Sequence, residues 1–301
     1  MKTKVWAAML AIYIIWGSTY LAIRFTIESI PPFLQAGMRF FISAIVILGW
    51  RFLAGDERPT LAQWRDASIV GLFLLVGGNG LVSWAEQTVD SGIAALIVGT
   101  VPIWLTLFEA LRPGGVKPGW PAILGLMVGF GGIFILLNPA TLASAAFRVD
   151  LWGAGALVLA TIFWATGSIY SKSAQVPKSA VLFTGMQMAS ASIGLFLVSA
   201  LSGEMSGFDI RAVTLTSWLG LLYLIIFGSL IAFVAYGWLL RNAPISLVST
   251  YGYVNPVVAM FLGAWLADEI LTGRVFVAAA VIVSAVVLIN QSKSAKRQPT
   301  A

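Results

Sequence analysis

Long apolar runs separated by short polar turns set the pattern of this chain. Ten stretches stay apolar for about 20 residues each, at about 5–26, 33–53, 67–88, 91–111, 120–139, 151–171, 179–201, 216–238, 247–267 and 274–291. Each is long enough to cross a bilayer as a helix. An outer-membrane barrel would instead show ~10-residue segments with period-two alternation. Pro31-Pro32, Gly55 to Pro59, Pro113 to Pro118 and Asn138-Pro139 punctuate the runs. The loops are short, so no appended soluble domain is expected. Met1-Lys2-Thr3-Lys4 before the first run resembles a signal peptide, but the run is long enough to span and no clean cleavage site follows. The pattern predicts an all-α polytopic membrane protein of ten transmembrane helices.

Composition narrows the chemistry. Of 301 residues, 59% are hydrophobic and 10% charged, which excludes a water-soluble domain and a disordered chain alike. With His and Cys both at zero, there is no imidazole base, thiolate nucleophile or His/Cys metal site. No cofactor and no metal are expected. The net charge of +6 is explained by basic residues at the cytoplasmic ends of the helices and calls for no nucleic acid. With both termini in the cytoplasm, Lys2, Lys4, Arg51, Arg58, Arg65, Arg112, Lys117, Lys172, Lys178, Arg241, Lys293, Lys296 and Arg297 fall on that side. Arg24, Arg148, Arg211 and Arg274 fall outside, and Arg39 lies within the second span.

The chain also repeats itself. Trp84 precedes Pro102 by 18 residues, and Trp238 precedes Pro256 by 18 residues. Trp16 and Gly17-Ser18-Thr19-Tyr20 in the first span match Trp164 and Gly167-Ser168-Ile169-Tyr170 in the sixth. This predicts two five-helix repeats, residues 1–147 and 148–301. Five is odd, so the second repeat starts on the opposite side and the two are inverted. Inverted repeats with a midplane site between them are a secondary-transporter architecture.

Several segments carry a family resemblance: Tyr13 to Tyr20, Ala36 to Phe40, Gly78-Asn79-Gly80 to Glu86, Ser91 to Pro102, Phe227-Gly228-Ser229 to Tyr236, and Tyr251 to Ala259. In their order and spacing the chain resembles the EamA-type exporters of the drug/metabolite transporter superfamily. The resemblance implies ten helices in two inverted repeats and export of small metabolites across a bacterial inner membrane. The family often has an acid shortly after the proline helix of each half. Glu269 fits that place after Pro256, whereas Gly115 occupies it in the first half, with Glu109 the nearest acid.

A proline within a helix removes one hydrogen bond and frees a carbonyl, which lipid tolerates only beside protein or a wet cavity. Pro102 and Pro256 are therefore candidate hinges that free the carbonyls of Val98 and Gly252, with Gly78 a further flex point beside Gly77 and Gly80. Polar and aromatic residues at helical spacing, Tyr13, Trp16, Tyr20, Asn79, Ser83, Thr161, Trp164, Ser168, Ser229, Tyr236, Tyr253 and Asn255, are expected to turn inward. The candidate cavity comprises Trp16, Tyr20, Asn79, Ser83, Thr100, Trp104, Trp164, Ser168, Tyr236, Tyr253 and Asn255. It suits an amino acid or an aromatic or amphipathic metabolite.

The charge candidates are Arg39, Glu86 and Glu109. Arg39 either binds a substrate carboxylate or pairs with an acid such as Glu86, and the structural pair is the favoured expectation. The small-residue pairs Gly125/Gly129 and Ala280/Ser284 serve helix packing or a weak homodimer. The expected activity is alternating-access transport of a small-molecule solute, either proton-coupled or facilitated. A membrane-embedded enzyme and a solute channel are the alternatives, and no catalytic constellation or charged ring supports them.

Overall fold

The computed structural model describes residues 2–112, 117–137, 150–243, 245–248 and 250–295. Pro113, Gly115, Asn138-Pro139, Arg148, the 147/148 boundary, Lys296 and Arg297 lie outside the described residues, which contain no strand. The helices are α1 (Lys2–Ile27), α2 (Pro32–Leu53), α3 (Leu61–Gly71), α4 (Leu81–Ala85), α5 (Ser91–Val98), α6 (Val101–Leu111) and α7 (Trp120–Leu137). They continue with α8 (Leu151–Tyr170), α9 (Ala180–Leu201), α10 (Leu215–Tyr223), α11 (Ala232–Asn242), α12 (Ile245–Val248), α13 (Tyr251–Leu266) and α14 (Gly273–Ala295). π-Helical turns Leu72–Gly80 join α3 to α4, and Leu224–Ile231 join α10 to α11. Among the described residues, seven stretches are long and apolar enough to cross a membrane: Thr3–Ile27, Pro32–Leu53, Leu61–Ala85, Ser91–Leu111, Leu151–Tyr170, Ala180–Leu201 and Leu215–Tyr236. Trp120–Leu136 and Gly273–Ile289 are shorter apolar helices.

Helix starts follow from local chemistry. Pro32 opens α2, where its missing N–H costs nothing. Thr60 and Gln63 form a reciprocal capping box on α3. The side chains of Asp150, Ser179 and Thr214 cap α8, α9 and α10. Other ends are closed by residues far away in sequence. Glu204 accepts from Phe33 N and Leu34 N at 3.2 and 3.0 Å. Glu269 accepts from Ser91 N and Gly92 N at 2.8 and 3.0 Å. Arg274 donates from Nε and Nη2 to the carbonyls of Ile135 and Leu136, each at 2.6 Å, at the C-terminal end of α7.

These contacts sort the loops onto two faces. Asp66 accepts from Gln175 N, Lys172 donates to Glu109, and Lys178 to Glu57, gathering three loops at the face where α1 begins. Ser29 meets Thr214, Thr88 meets Asp150, and Arg24 lies 3.6 Å from Asp90 at the opposite face. These are the terminal face and the far face below.

Large apolar side chains such as Leu53, Trp120, Ile193 and Trp152 point outward, while small residues sit between helices. In lipid there is no hydrophobic drive between helices, so association depends on close packing. Gly125 lies against Ala285 and Ile289, and Gly129 against Ile103 and Ala285. That pair therefore packs within the chain, and its use as a dimer interface is corrected; Ala280 and Ser284 lie on the exposed side of α14. At Gly71 a Cβ would come within 2.6 Å of the Gln187 carbonyl oxygen, a backbone atom that cannot turn aside. Gly71→Ala should therefore destabilise by about 1–3 kcal/mol through overpacking. Gly49→Ala, with open space around it, should be neutral or slightly stabilising. Thermal melts of detergent-purified variants check both, and equal melting points would contradict the packing at Gly71.

Candidate functional site

Two helices are interrupted. α5 ends at Val98, and Gly99-Thr100 separate it from α6. The Thr100 hydroxyl donates to the Ile97 carbonyl at 2.5 Å. α12 ends at Val248, and the Thr250 hydroxyl donates to the Leu247 carbonyl at 2.6 Å before α13 begins. In both places a threonine at the interruption covers a carbonyl three residues back, which lipid could not hydrate. Pro102 lies in the first turn of α6, so the expected mid-helix kink is a helix break at Gly99-Thr100 instead. Pro256 does sit inside a helix, as expected.

The first interruption packs on α13. A Cβ on Gly99 would lie 3.1 Å from Pro256 Cγ and 3.2 Å from the Gly252 carbonyl oxygen. That is the carbonyl the proline leaves without its helical donor. Gly99 is thus required by the close approach of α13. Sequence reasoning singled out the prolines and passed over this glycine, whose role depends on a partner helix about 150 residues away.

A second cross-pairing involves the π-helical turns, a feature that recurs at functional sites. Gly77 and Gly78 lie against Phe163 and Trp164 of α8. Gly228 lies against Thr19 of α1 and Arg39 of α2, and its carbonyl accepts from Trp16 Nε1 at 3.3 Å. The two matched tryptophans, Trp16 and Trp164, therefore each seat on a π-helical glycine from the other part of the chain. Asn79 donates to its own Leu74 carbonyl at 3.4 Å.

Around Trp16 the structure gathers an aromatic set. Its ring lies 5.4 Å from Phe233, 5.1 Å from Tyr236 and 5.2 Å from Tyr251, centroid to centroid, and Tyr236 and Tyr251 lie 5.9 Å apart. These distances suit edge-on and tilted aromatic packing. The Tyr13 hydroxyl shares a hydrogen bond with the Thr250 hydroxyl. With its nitrogen turned toward them, the Asn255 amide donates to the carbonyls of Tyr251 and Tyr13, both at 3.2 Å. Trp16, Tyr20, Tyr236, Tyr251 and Tyr253 are half-buried rather than sealed. Thr250 and Tyr251 were missed as individual site residues because each matters through contacts with the remote α1 and α11.

Other expected cavity residues lie apart from this set. Ser83 accepts from Gln35 Nε2 at 2.8 Å, a buried bond between α2 and α4 whose partner the sequence did not point to. Trp104 packs on Phe108 and Phe130, away from Trp16. The Ser168 hydroxyl turns back to the Trp164 carbonyl at 2.7 Å. Glu109 accepts from Lys172 at 2.6 Å and from Arg112 at 3.0 Å at the terminal face. A cleft of about 410 Å³ opens at the far face, lined by residues including Pro31, Phe33, Trp84 and Glu204, and shares no residue with the expected cavity.

Arg39 and Glu86 do not pair, which corrects the favoured expectation. Arg39 Nε donates to Ser229 Oγ at 2.9 Å, and no carboxylate is in ion-pair range of it among the described residues. Glu86 follows the last residue of α4 at the far face. It is 1% exposed, and among the described residues neither carboxylate oxygen accepts a hydrogen bond. Burial, and then the charge of Glu269, push its carboxyl well above the ordinary range, with Arg24 opposing. The same causes raise the carboxyl of Asp90.

Comparison with known proteins bears on what this geometry serves. The model of the EamA-like transporter family matches residues 3–138 and 151–291. The chain belongs to the EamA-like transporter family. Among relatives of this EamA protein, the inner membrane transporter YedA of Escherichia coli K12 is 39% identical over 95% of this chain and 90% of its own. The Synechocystis transporter sll0355 is 24% identical over 96% and 91%, and Protein PecM of Dickeya dadantii 27% over 92% and 89%. A crystal structure of a protein 21% identical to it superposes with a TM-score of 0.65 over 98% of this chain and 99% of that one, which shows the fold. The EamA chain is accordingly a membrane transporter.

Glu86 generates a pH prediction. Its folded-state pKa lies above the unfolded one, so the folded chain holds an extra proton between the two values. Stability contributed by that proton is lost as pH rises through this window. Melting temperature from about pH 4.5 upward should fall more steeply in the wild type than in Glu86→Gln. Equal slopes would contradict the buried, unpartnered carboxylate.

Proposed function

We propose that this chain is an inner-membrane secondary carrier that exports small metabolites by alternating access. In this proposal ten transmembrane helices form two inverted five-helix repeats, residues 1–147 and 148–301, with both termini in the cytoplasm and the chain a monomer or weak homodimer. The two stretches matched by the family model fall on either side of the proposed boundary. The observation that carries the proposal is the reciprocal crossing of two interrupted helices, Gly99 on the Gly252 carbonyl and Trp16 and Trp164 each on a π-helical glycine. Broken helices packed across a midplane are where a transporter positions solute and accommodates movement.

The roles follow the geometry. Trp16, Phe233, Tyr236 and Tyr251 offer a half-buried aromatic wall, which suits an aromatic or amphipathic solute. Gly99-Thr100 and Thr250 are the flexing points, with Pro102 and Pro256 fixing the direction of each following helix. Asn255 ties α13 to α1. Among the acids, Glu86 is the group suited to carry a coupling proton, because it is buried without a donor; Glu109 is held in a terminal-face ion pair.

Counterflow in proteoliposomes tests the proposal. Vesicles preloaded with unlabelled amino acids, aromatic compounds or cationic drugs should take up a labelled trace of one class saturably. Trp16→Ala should lower that uptake at least about tenfold, by the removal of a large aromatic contact. Trp120→Ala, 69% exposed on the outer surface, should leave it unchanged. Uptake that is linear in concentration would contradict a carrier, and equal loss in the two variants would contradict the aromatic wall.

A further inference from the structure

We propose that Arg39 is the anchor for a carboxylate on the transported solute, so that the carrier selects anions bearing an aromatic or apolar body. This rests on the carrier reading and names the class of solute its site takes. Arg39 lies about 10 Å inside the far-face end of α2, from the helical rise, and is 3% exposed. A guanidinium has five N–H donors and keeps its charge. Here Nε donates to Ser229 Oγ, the ring of Phe40 lies 4.9 Å from the guanidinium carbon, and neither Nη nitrogen has a hydrogen-bond partner among the described residues.

Four acids are committed elsewhere, and the unpartnered Glu86 is not in ion-pair range of Arg39. Glu204 and Glu269 close helix starts, Asp66 accepts from Tyr170 and Gln175, and Glu109 is held by Lys172. A charge inside a span normally faces a partner or a water-filled path. Among the described residues Arg39 has no resident counter-ion, so its counter-ion is one that comes and goes. The planar fork of two Nη groups matches a carboxylate in bidentate geometry.

The aromatic body follows from what shares Gly228. Nη2 of Arg39 would lie 3.0 Å from a Cβ at that glycine, and Thr19 Cγ2 3.1 Å from it. The Gly228 carbonyl accepts from Trp16 Nε1. One residue therefore joins the guanidinium to the tryptophan at the centre of the aromatic set. A side chain at Gly228 would press on the guanidinium. A solute with its carboxylate on Arg39 meets the Trp16 set with the rest of its body.

Three probes of one shape test this: phenylacetate, phenylacetamide and phenethylammonium. Binding is read by tryptophan fluorescence quenching of the purified full chain, and transport by counterflow. Wild type should prefer phenylacetate over phenylacetamide by at least about tenfold, with phenethylammonium weakest. In Arg39→Gln the ratio should fall toward one. Arg39→Lys keeps the charge without the fork and should give an intermediate ratio. Ser229→Ala should weaken phenylacetate a few-fold while keeping the anion preference; these two variants carry the test if Arg39→Gln does not fold. Wild type that takes the amide or the ammonium as well as the carboxylate would overturn the anion site and leave the carrier reading standing. Wild type that binds and moves none of the three, while moving another class saturably, would overturn the aromatic anion site alone. Failure to move any solute saturably would overturn both.

Discussion

A backbone carbonyl that loses its helical donor inside a bilayer must be covered by protein, because lipid offers no hydrogen bond. The centre of this molecule is organised by that constraint. Gly99-Thr100 and Thr250 interrupt two helices, and π-helical turns loosen two more. At each place something specific closes the gap: the Thr100 and Thr250 hydroxyls, the Gly99 backbone pressed on the Gly252 carbonyl, the Trp16 indole on the Gly228 carbonyl, the Asn79 amide on Leu74. The covering groups for the interruptions with long-range partners come from the other part of the chain, so irregular backbone and contact between the two parts are one feature.

The ends of the helices follow the same logic. Glu204 and Glu269 supply acceptors to the starts of α2 and α5 from loops more than 150 residues away, and Arg274 supplies donors to the end of α7. Two orphaned N–H groups cost about 1–3 kcal/mol each when buried without a partner. At the far face these caps bridge residues early and late in the chain, so movement of the two parts relative to each other must break or carry them. In the proposed carrier the mechanical resistance therefore lies at the loops.

Much of the architecture was legible in the apolar runs. The stretch expected at 33–53 is α2 over Pro32–Leu53, and 91–111 and 151–171 are matched nearly residue for residue. These succeeded because membrane length and turn chemistry are local properties. Pro102 was misread as a mid-helix kink because its effect depends on where the preceding helix stops, and Thr100 decides that through a side-chain bond. The Arg39–Glu86 pair failed for a different reason. Charge complementarity along a sequence carries no distance, and Glu86 ends at the far face beside Glu269 while Arg39 turns to Ser229. Gly99, Gly228 and Gln35 were invisible individually, since each matters through a contact with a remote helix.

In the proposed carrier, solute crosses because the two parts of the chain move relative to each other. The absence of cysteine makes this directly testable. Ser29 and Thr214, whose hydroxyls lie 3.4 Å apart across the far face, can both be replaced by Cys. The account predicts saturable counterflow in the reduced protein, loss of it when the pair is oxidised to a disulfide, and recovery on reduction. Undiminished counterflow with the disulfide fully formed would contradict it.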